Sequence, residues 1–191
     1  RKNNVIADIY GLCEWYKDRN DFKGGGNMTQ KTCEKCDGAV AYFHLPGLFE
    51  FYGLYSLFLP LFYNHREYFC DWCEIGSIYG APADCLWGGG RVGFGDDEAE
   101  KVLRLTQKYG ISARLTFSNS LIKQEHLSDR KCNRLCEMFS ESKAVPNGVI
   151  ICSDLLLEYI GKNYPGLYFV SSTTKVPVSY THLTLPTTSR V

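Results

Sequence analysis

The chain has 191 residues, of which 45% are hydrophobic and 22% are charged, a composition typical of a globular protein. Its 21 Lys and Arg residues are balanced by 21 Asp and Glu residues, so the formal net charge is zero. The absence of a cationic excess argues against electrostatic binding of nucleic acid or of an anionic membrane surface.

The first 27 residues are set apart from the domain that follows. The sequence opens at Arg1, and Lys23-Gly24-Gly25-Gly26 precedes Met28. Codons for Lys-Gly-Gly can spell a ribosome-binding site, so we interpret residues 1–27 as translated upstream DNA. A genuine N-terminal segment with a glycine-rich linker is the open alternative. The domain is expected over residues 28–177, a length that suits one domain or a large part of one.

A long apolar stretch, Leu45 to Tyr63, raises the question of a membrane span. Pro46, Glu50 and Pro60 interrupt it, whereas a spanning helix needs about 20 predominantly apolar residues without such breaks. The stretch therefore predicts a helix packed against a sheet, and no membrane partner.

Short apolar runs and amphipathic segments alternate through the rest of the chain. Strands are predicted at 74–79, 84–87, 111–118, 149–152 and 167–170. A helix is predicted over 97–109, which Asp96 or Asp97 caps and Gly110 ends. A second helix begins after the cap Ser128, and its inward face repeats at helical spacing through Cys132, Leu135, Cys136 and Phe139. The third is capped by Ser153 and ends before Pro165.

This order predicts the α/β class. Strands that alternate with helices, each strand a short apolar run buried on both faces, indicate a parallel sheet with right-handed crossovers. We interpret the fold as a truncated (β/α)8 TIM-like barrel, because a complete barrel needs about 250 residues. A doubly wound open sheet is the alternative.

Four runs carry a family resemblance: Asp84-Cys85-Leu86-Trp87-Gly88-Gly89, Ser112 to Asn119, Gly148 to Asp154 and Tyr164 to Ser172. In order and in strand-end residues they resemble the first half of the collagenase-like peptidase barrels, whose relatives also assist ubiquinone and transfer-RNA hydroxylation. The resemblance implies a barrel, and an iron–sulfur cluster in the full-length protein with ligands in the second half. It assigns no catalytic residue and no metal ligand to this chain.

Residues 178–191 have a different character. The run from Val178 to Thr187 resembles the translation of a transposase-based sequencing adapter. We interpret 178–191 as an artefactual tail, with a disordered Thr-rich tail as the alternative.

The nine cysteines are compatible with a reducing cytoplasm, which we predict as the location. Cys33-x-x-Cys36 and Cys70-x-x-Cys73 have the internal spacing of zinc-binding pairs. A gap of 33 residues and the apolar helix separate the pairs, so we predict no metal ligand and interpret Cys70 and Cys73 as small buried hydrophobes.

The glycines after residue 87 match a dinucleotide-binding pattern, Gly88-x-Gly90-x-x-Gly93. Asp96 and Asp97 at the start of the next helix would repel a phosphate. We therefore predict a tight turn at these glycines.

Candidate ligand-binding residues follow the predicted strands, where parallel barrels place their active face. Arg91 can hold a carboxylate or phosphate through two hydrogen bonds. The others expected in the same pocket are Ser118, Asn119, Asp154, Ser172 and Thr173. His44, His65 and His126 lack metal-ligand spacing and are predicted to be surface or capping residues. No catalytic residue is identified.

Three functional hypotheses stay open. The first is an enzyme, or part of one, that binds a small anionic ligand at the carboxyl ends of the strands. The second is an iron–sulfur or zinc barrel whose ligands lie in the missing half. The third is a non-catalytic binding scaffold.

Overall fold

The computed structural model describes residues 6–7, 40–90, 98–142 and 144–175. Its framework is one parallel sheet of five strands of four to eight residues, β2 to β6, with the two-residue strand β1 at the edge. The strands are β1 (Ile6–Ala7), β2 (Ala41–Pro46), β3 (Cys73–Gly80), β4 (Ser112–Phe117), β5 (Gly148–Ile151) and β6 (Tyr168–Ser171). The α-helices are α1 (Tyr52–Asn64), α2 (Ala99–Lys108), α3 (Arg130–Ser140) and α4 (Asp154–Asn163).

The strand order distinguishes between the two expected architectures. Each strand pairs in parallel with the next strand along the chain, from β1 to β6. Right-handed crossovers that always advance in one direction place their helices on the same face of the sheet. A doubly wound sheet requires the order to reverse. The described strands therefore form a singly wound, curled half-barrel, and the α/β class with parallel strand–helix repeats is confirmed.

The core fills the space between the sheet and the helices. On β4 the side chains of Ala113, Leu115 and Phe117 are fully buried, and Val149 on β5 continues this layer. The helix residues against them repeat at helical spacing, including the predicted face of α3: Cys132, Leu135, Cys136, Phe139, Leu156 and Ile160. Burying each aliphatic or aromatic side chain contributes about 1.5–3 kcal/mol.

Helix α1 confirms that the apolar stretch contains a helix. Tyr55, Leu59 and Phe62 are buried, whereas Leu54 and Leu57 on the opposite side are 59% and 76% exposed. Pro60 lies inside the helix. Among the described residues, the helices are too short or too polar to span a bilayer. The preceding strand β2 was not predicted, because its last residues, Leu45 and Pro46, belong to the apolar stretch that was interpreted as a helix.

Two local predictions are wrong. Residues 84–87 form a turn and not a strand, because Asp84 has a φ of 51° and the carbonyl of Cys85 accepts hydrogen bonds from the N–H groups of Gly88 and Gly90. The cap of α3 is Asp129 and not Ser128: the Asp129 Oδ1 atom accepts from the Cys132 N–H at 2.8 Å.

Other local predictions are confirmed. Ser153 caps α4 by accepting from the Leu156 N–H. Gly110 follows α2 with a φ of 66°, a conformation that favours glycine. Gly89 and Gly90 also have positive φ, as the predicted tight turn requires. Asp96 and Asp97, the predicted caps of α2, lie outside the described residues.

Candidate functional site

The two faces of the sheet differ in chemistry, and β4 shows the difference most clearly. Its sequence alternates Ser-Ala-Arg-Leu-Thr-Phe, so Ser112, Arg114 and Thr116 point away from the helix-facing Leu115 and Phe117. We call the side opposite the helices the concave face. By strand register its described members beside Arg114 include Tyr79, Ile150, Tyr168 and Val170.

Arg114 is held by a set of directed hydrogen bonds, which we call the Arg114 network. Its Nε–H donates to the Tyr168 hydroxyl oxygen at 2.7 Å. The Ser112 hydroxyl donates to the Pro146 carbonyl at 2.8 Å, so its oxygen accepts the Tyr168 proton across the 2.6 Å contact. Both hydroxyl protons of the network are thus assigned. The guanidinium is oriented through its Nε–H, and neither Nη group forms a hydrogen bond with the described residues.

Tyr168 can reach Arg114 because the strand between them carries a glycine. Gly148 pairs with Arg114 on one side and with Tyr168 on the other. A Cβ atom at Gly148 would lie 2.5 Å from the Tyr168 ring, closer than side chains tolerate. The glycine therefore lets the ring cross β5, and the guanidinium carbon lies 5.4 Å from the ring centroid.

The charge of Arg114 has no counter-ion among the described residues. It is the only Lys or Arg in the described strands, and Glu74 is their only carboxylate. Glu74 pairs with Arg66 at 3.1 Å. A guanidinium without a carboxylate partner can donate two parallel hydrogen bonds to a carboxylate or phosphate from outside the protein.

A second unsatisfied group lies on the same strand face. Thr116 is two residues nearer the carboxyl end than Arg114, and its Oγ1 atom is buried with no hydrogen-bond partner in the described part of the protein. Such atoms are uncommon because burying a hydroxyl without a partner is costly. A ligand oxygen beside Arg114 would supply the missing acceptor.

The predicted ligand-binding residues that the structure describes follow β4, β5 and β6, and the side chains of Asn119, Asp154 and Ser172 form local contacts. Arg91 lies outside the described residues. Asn119 follows β4; its Nδ2 donates to the Leu86 carbonyl and its Oδ1 accepts from the Leu121 N–H, both at 2.9 Å. Asn119 therefore fastens the turn after β3 to the end of β4.

The remaining candidates are similarly placed after β4, β5 and β6. Asp154 is exposed and forms an ion pair with Lys175. Ser172 is buried and its Oγ accepts from the Thr174 N–H at 3.2 Å. Ser118 is half-buried and Thr173 is exposed. Within the described residues, these contacts link none of the candidates to another.

The histidines differ in their surroundings. His126 accepts from the Lys123 N–H at 3.1 Å, as expected of a capping residue, and His65 is exposed. His44 is a strand residue, and its Nδ1 lies 2.8 Å from the Ser77 Oγ. Ser77 is fully buried and His44 is half-buried, and we interpret their contact as structural.

The cysteine pairs give no metal centre in the described part of the chain. No group of three or more His, Cys, Asp or Glu residues is arranged there to hold a metal ion. The Cys70 carbonyl accepts from the Cys73 N–H at the start of β3. Burial raises the pKa of the Cys73 thiol. Cys33 and Cys36 lie outside the described residues.

No protein-family model, curated protein or solved structure matches the chain. Function has to be inferred from the site, because an α/β fold of this kind hosts many activities.

Sequence reasoning missed Arg114 although the sequence carries a signal for it. The strand was interpreted as buried on both faces, but strict alternation over six residues predicts one apolar and one polar face. A single cationic residue on the polar face of a strand indicates a candidate binding residue. Its partners Tyr168 and Gly148 are distant in sequence and become apparent only from the strand register.

Proposed function

We propose that this protein binds a small anionic ligand on the concave face of its sheet, with Arg114 as the anion-binding residue. The observation that supports the proposal is the orientation of Arg114 by Tyr168 in the absence of any carboxylate partner among the described residues. The ligand class is a carboxylate or a phosphate, since both accept two parallel hydrogen bonds from a guanidinium.

The geometry favours binding because Arg114 is oriented before a ligand arrives. The Nε–H is committed to Tyr168, so the two Nη groups present a fixed donor pair. An arginine held in this way loses little side-chain entropy on binding. Thr116 supports the same position with a buried hydroxyl that has no described partner.

We further propose that the half-barrel is the first part of a (β/α)8 TIM-like barrel of the collagenase-like peptidase type. The sequential parallel order of the described strands supports this interpretation. In such a barrel the concave face becomes the interior, and the ligand would enter from the carboxyl ends of the strands. An enzyme is the activity class that this placement favours, by analogy of fold.

The proposal is tested by isothermal titration of the full chain with inorganic phosphate and with oxalate. Arg114→Gln removes the guanidinium and its charge but keeps a polar side chain, and Arg134→Gln is the matched control because Arg134 is exposed on α3. We expect Arg114→Gln to weaken binding by about ten-fold or more, the value of one charged hydrogen bond. Equal binding by the two variants would refute the proposal.

A further inference from the structure

Two buried thiols that take no part in the anion site lie side by side. The Cys85 and Cys132 Sγ atoms are 3.4 Å apart, and neither residue is exposed. Cys85 lies in the turn after β3 and Cys132 in the first turn of α3. A disulfide has an S–S bond of about 2.05 Å, so the two atoms would have to approach by roughly 1.4 Å.

The turn that carries Cys85 is already fastened to the region around α3. The Lys131 Nζ donates to the Ala83 carbonyl, and the Trp87 Nε1 donates to the His126 carbonyl at 2.8 Å. These contacts bracket Cys85 on both sides along the chain. They hold its thiol against Cys132 without a covalent bond.

The two thiols have unequal acidity. The S–H of Cys132 donates to Cys85 and lowers the pKa of the Cys85 thiol, and the N–H groups of Gly88 and Trp87 add to this effect. The same contact, together with burial, raises the pKa of Cys132. Cys85 is therefore the thiol that ionises first, and a thiolate is the nucleophile in sulfur chemistry.

We propose that Cys85 and Cys132 form a reversible disulfide in response to hydrogen peroxide. The Cys85 thiolate attacks one peroxide oxygen, the O–O bond breaks, and a sulfenic acid and hydroxide form. Cys132 then loses its proton and attacks the Cys85 sulfur, so that the S–S bond forms and the S–O bond breaks, releasing water. In total, two thiols lose two electrons and one peroxide becomes two waters.

Cys85 is itself buried, but exposed residues lie close to it along the chain. Asp84, Gly89 and Gly90 are exposed and flank Cys85 and its neighbours in one short surface turn. All three have positive φ, and the Cys85 carbonyl accepts from the N–H groups of Gly88 and Gly90 within the turn. Peroxide would reach the buried thiol by local opening of this exposed turn. The disulfide would link this turn to α3 at the carboxyl edge of the sheet.

The test is peptide mapping of the full chain after treatment with a few equivalents of peroxide and alkylation under denaturing conditions. We expect a linked peptide that contains Cys85 and Cys132. The melting temperature should rise by on the order of 10 °C, because the link closes a long loop, and dithiothreitol should reverse the rise.

Variants separate this pair from its neighbour. Cys136→Ala alters a thiol one turn further along α3 and should keep both the linked peptide and the shift, whereas Cys132→Ser should lose both. If Cys132→Ser does not fold, the map of the unsubstituted protein decides. Alkylation of both thiols after peroxide, or a link from Cys85 to Cys136, would overturn the inference.

Discussion

The helix-facing side of the sheet and the concave side differ in burial and in polarity. On the helix-facing side, Leu115, Phe117 and Val149 are fully buried against α3 and α4. On the concave side of the same strands, Arg114 is half-buried and Tyr168 orients it through a hydrogen bond. One strand, β4, thus packs into the core with its odd-numbered residues, and its even-numbered residues carry the polar side chains on which the proposed anion site depends.

We expect the stability of the fold to depend mainly on the helix-facing side and ligand binding to depend on the concave side. Apolar burial on the helix-facing side contributes free energy of unfolding with no need for a ligand. The concave side carries an uncompensated cation and a buried hydroxyl without a described partner, and both cost stability unless a ligand completes them. Substitutions on the helix-facing side should therefore lower stability more than binding, and substitutions on the concave side should lower binding more than stability.

The largest effect is expected on the helix-facing side. Phe117→Ala removes a fully buried ring that packs edge-on against Trp87, at 5.3 Å between centroids, and should lower the free energy of unfolding by about 3–5 kcal/mol. The matched concave-side change, Ile150→Ala, removes a half-buried side chain and should cost about 1–2 kcal/mol. Urea denaturation measures both. Equal losses would show that the two faces are packed alike.

An intermediate effect is expected for the Arg114 network. Tyr168→Phe removes the acceptor of the Arg114 Nε–H and the donor to Ser112, which should cost about 1–2 kcal/mol and also weaken phosphate binding. Tyr159→Phe is the control, because the Asn133 Oδ1 that it leaves still accepts from Tyr164 at 2.7 Å. Its phosphate affinity should be unchanged. Loss of affinity in Tyr159→Phe alone would contradict the assignment of the network.

The smallest effect is expected at Thr116. Thr116→Val removes a buried hydroxyl that has no described partner, so stability should rise by up to about 1 kcal/mol while phosphate binding weakens. Thr106→Val is the control, because the Thr106 hydroxyl donates to the Leu103 carbonyl at 3.0 Å, and it should lose about 1 kcal/mol. A comparable loss in both variants would mean that Thr116 is satisfied in solution.

Much of the fold could be predicted because periodicity reports burial. The helical spacing of Cys132, Leu135 and Phe139 predicts the inward face of α3, and that face is buried. The cap was missed because Ser128 and Asp129 are adjacent and both are good caps, so only backbone geometry distinguishes them. Residues 84–87 were interpreted as a strand because Cys85, Leu86 and Trp87 form a short apolar run. Cys85 and Trp87 are buried in the core, but the segment is a turn outside the sheet.

The sequence predicts candidate site residues after the ends of the strands, whereas Arg114 lies within β4. The carboxyl ends of parallel strands meet at one edge, and Asn119, Asp154 and Ser172 follow the neighbouring strands β4, β5 and β6. Whether such side chains are free depends on nearby backbone groups, and Asn119 is engaged by Leu86 and Leu121. The alignment of Arg114, Gly148 and Tyr168 depends on strand register, which the sequence does not specify residue by residue.

The most direct test of the concave-face site is a nuclear magnetic resonance titration of the arginine Nε–Hε signals with inorganic phosphate. The Arg114 signal should shift and reach saturation, because its guanidinium binds the anion, while the signal of the exposed Arg134 stays nearly constant. Parallel, unsaturated shifts of both signals would show only general ionic attraction. That result would contradict the claim that the concave face holds a preformed anion site.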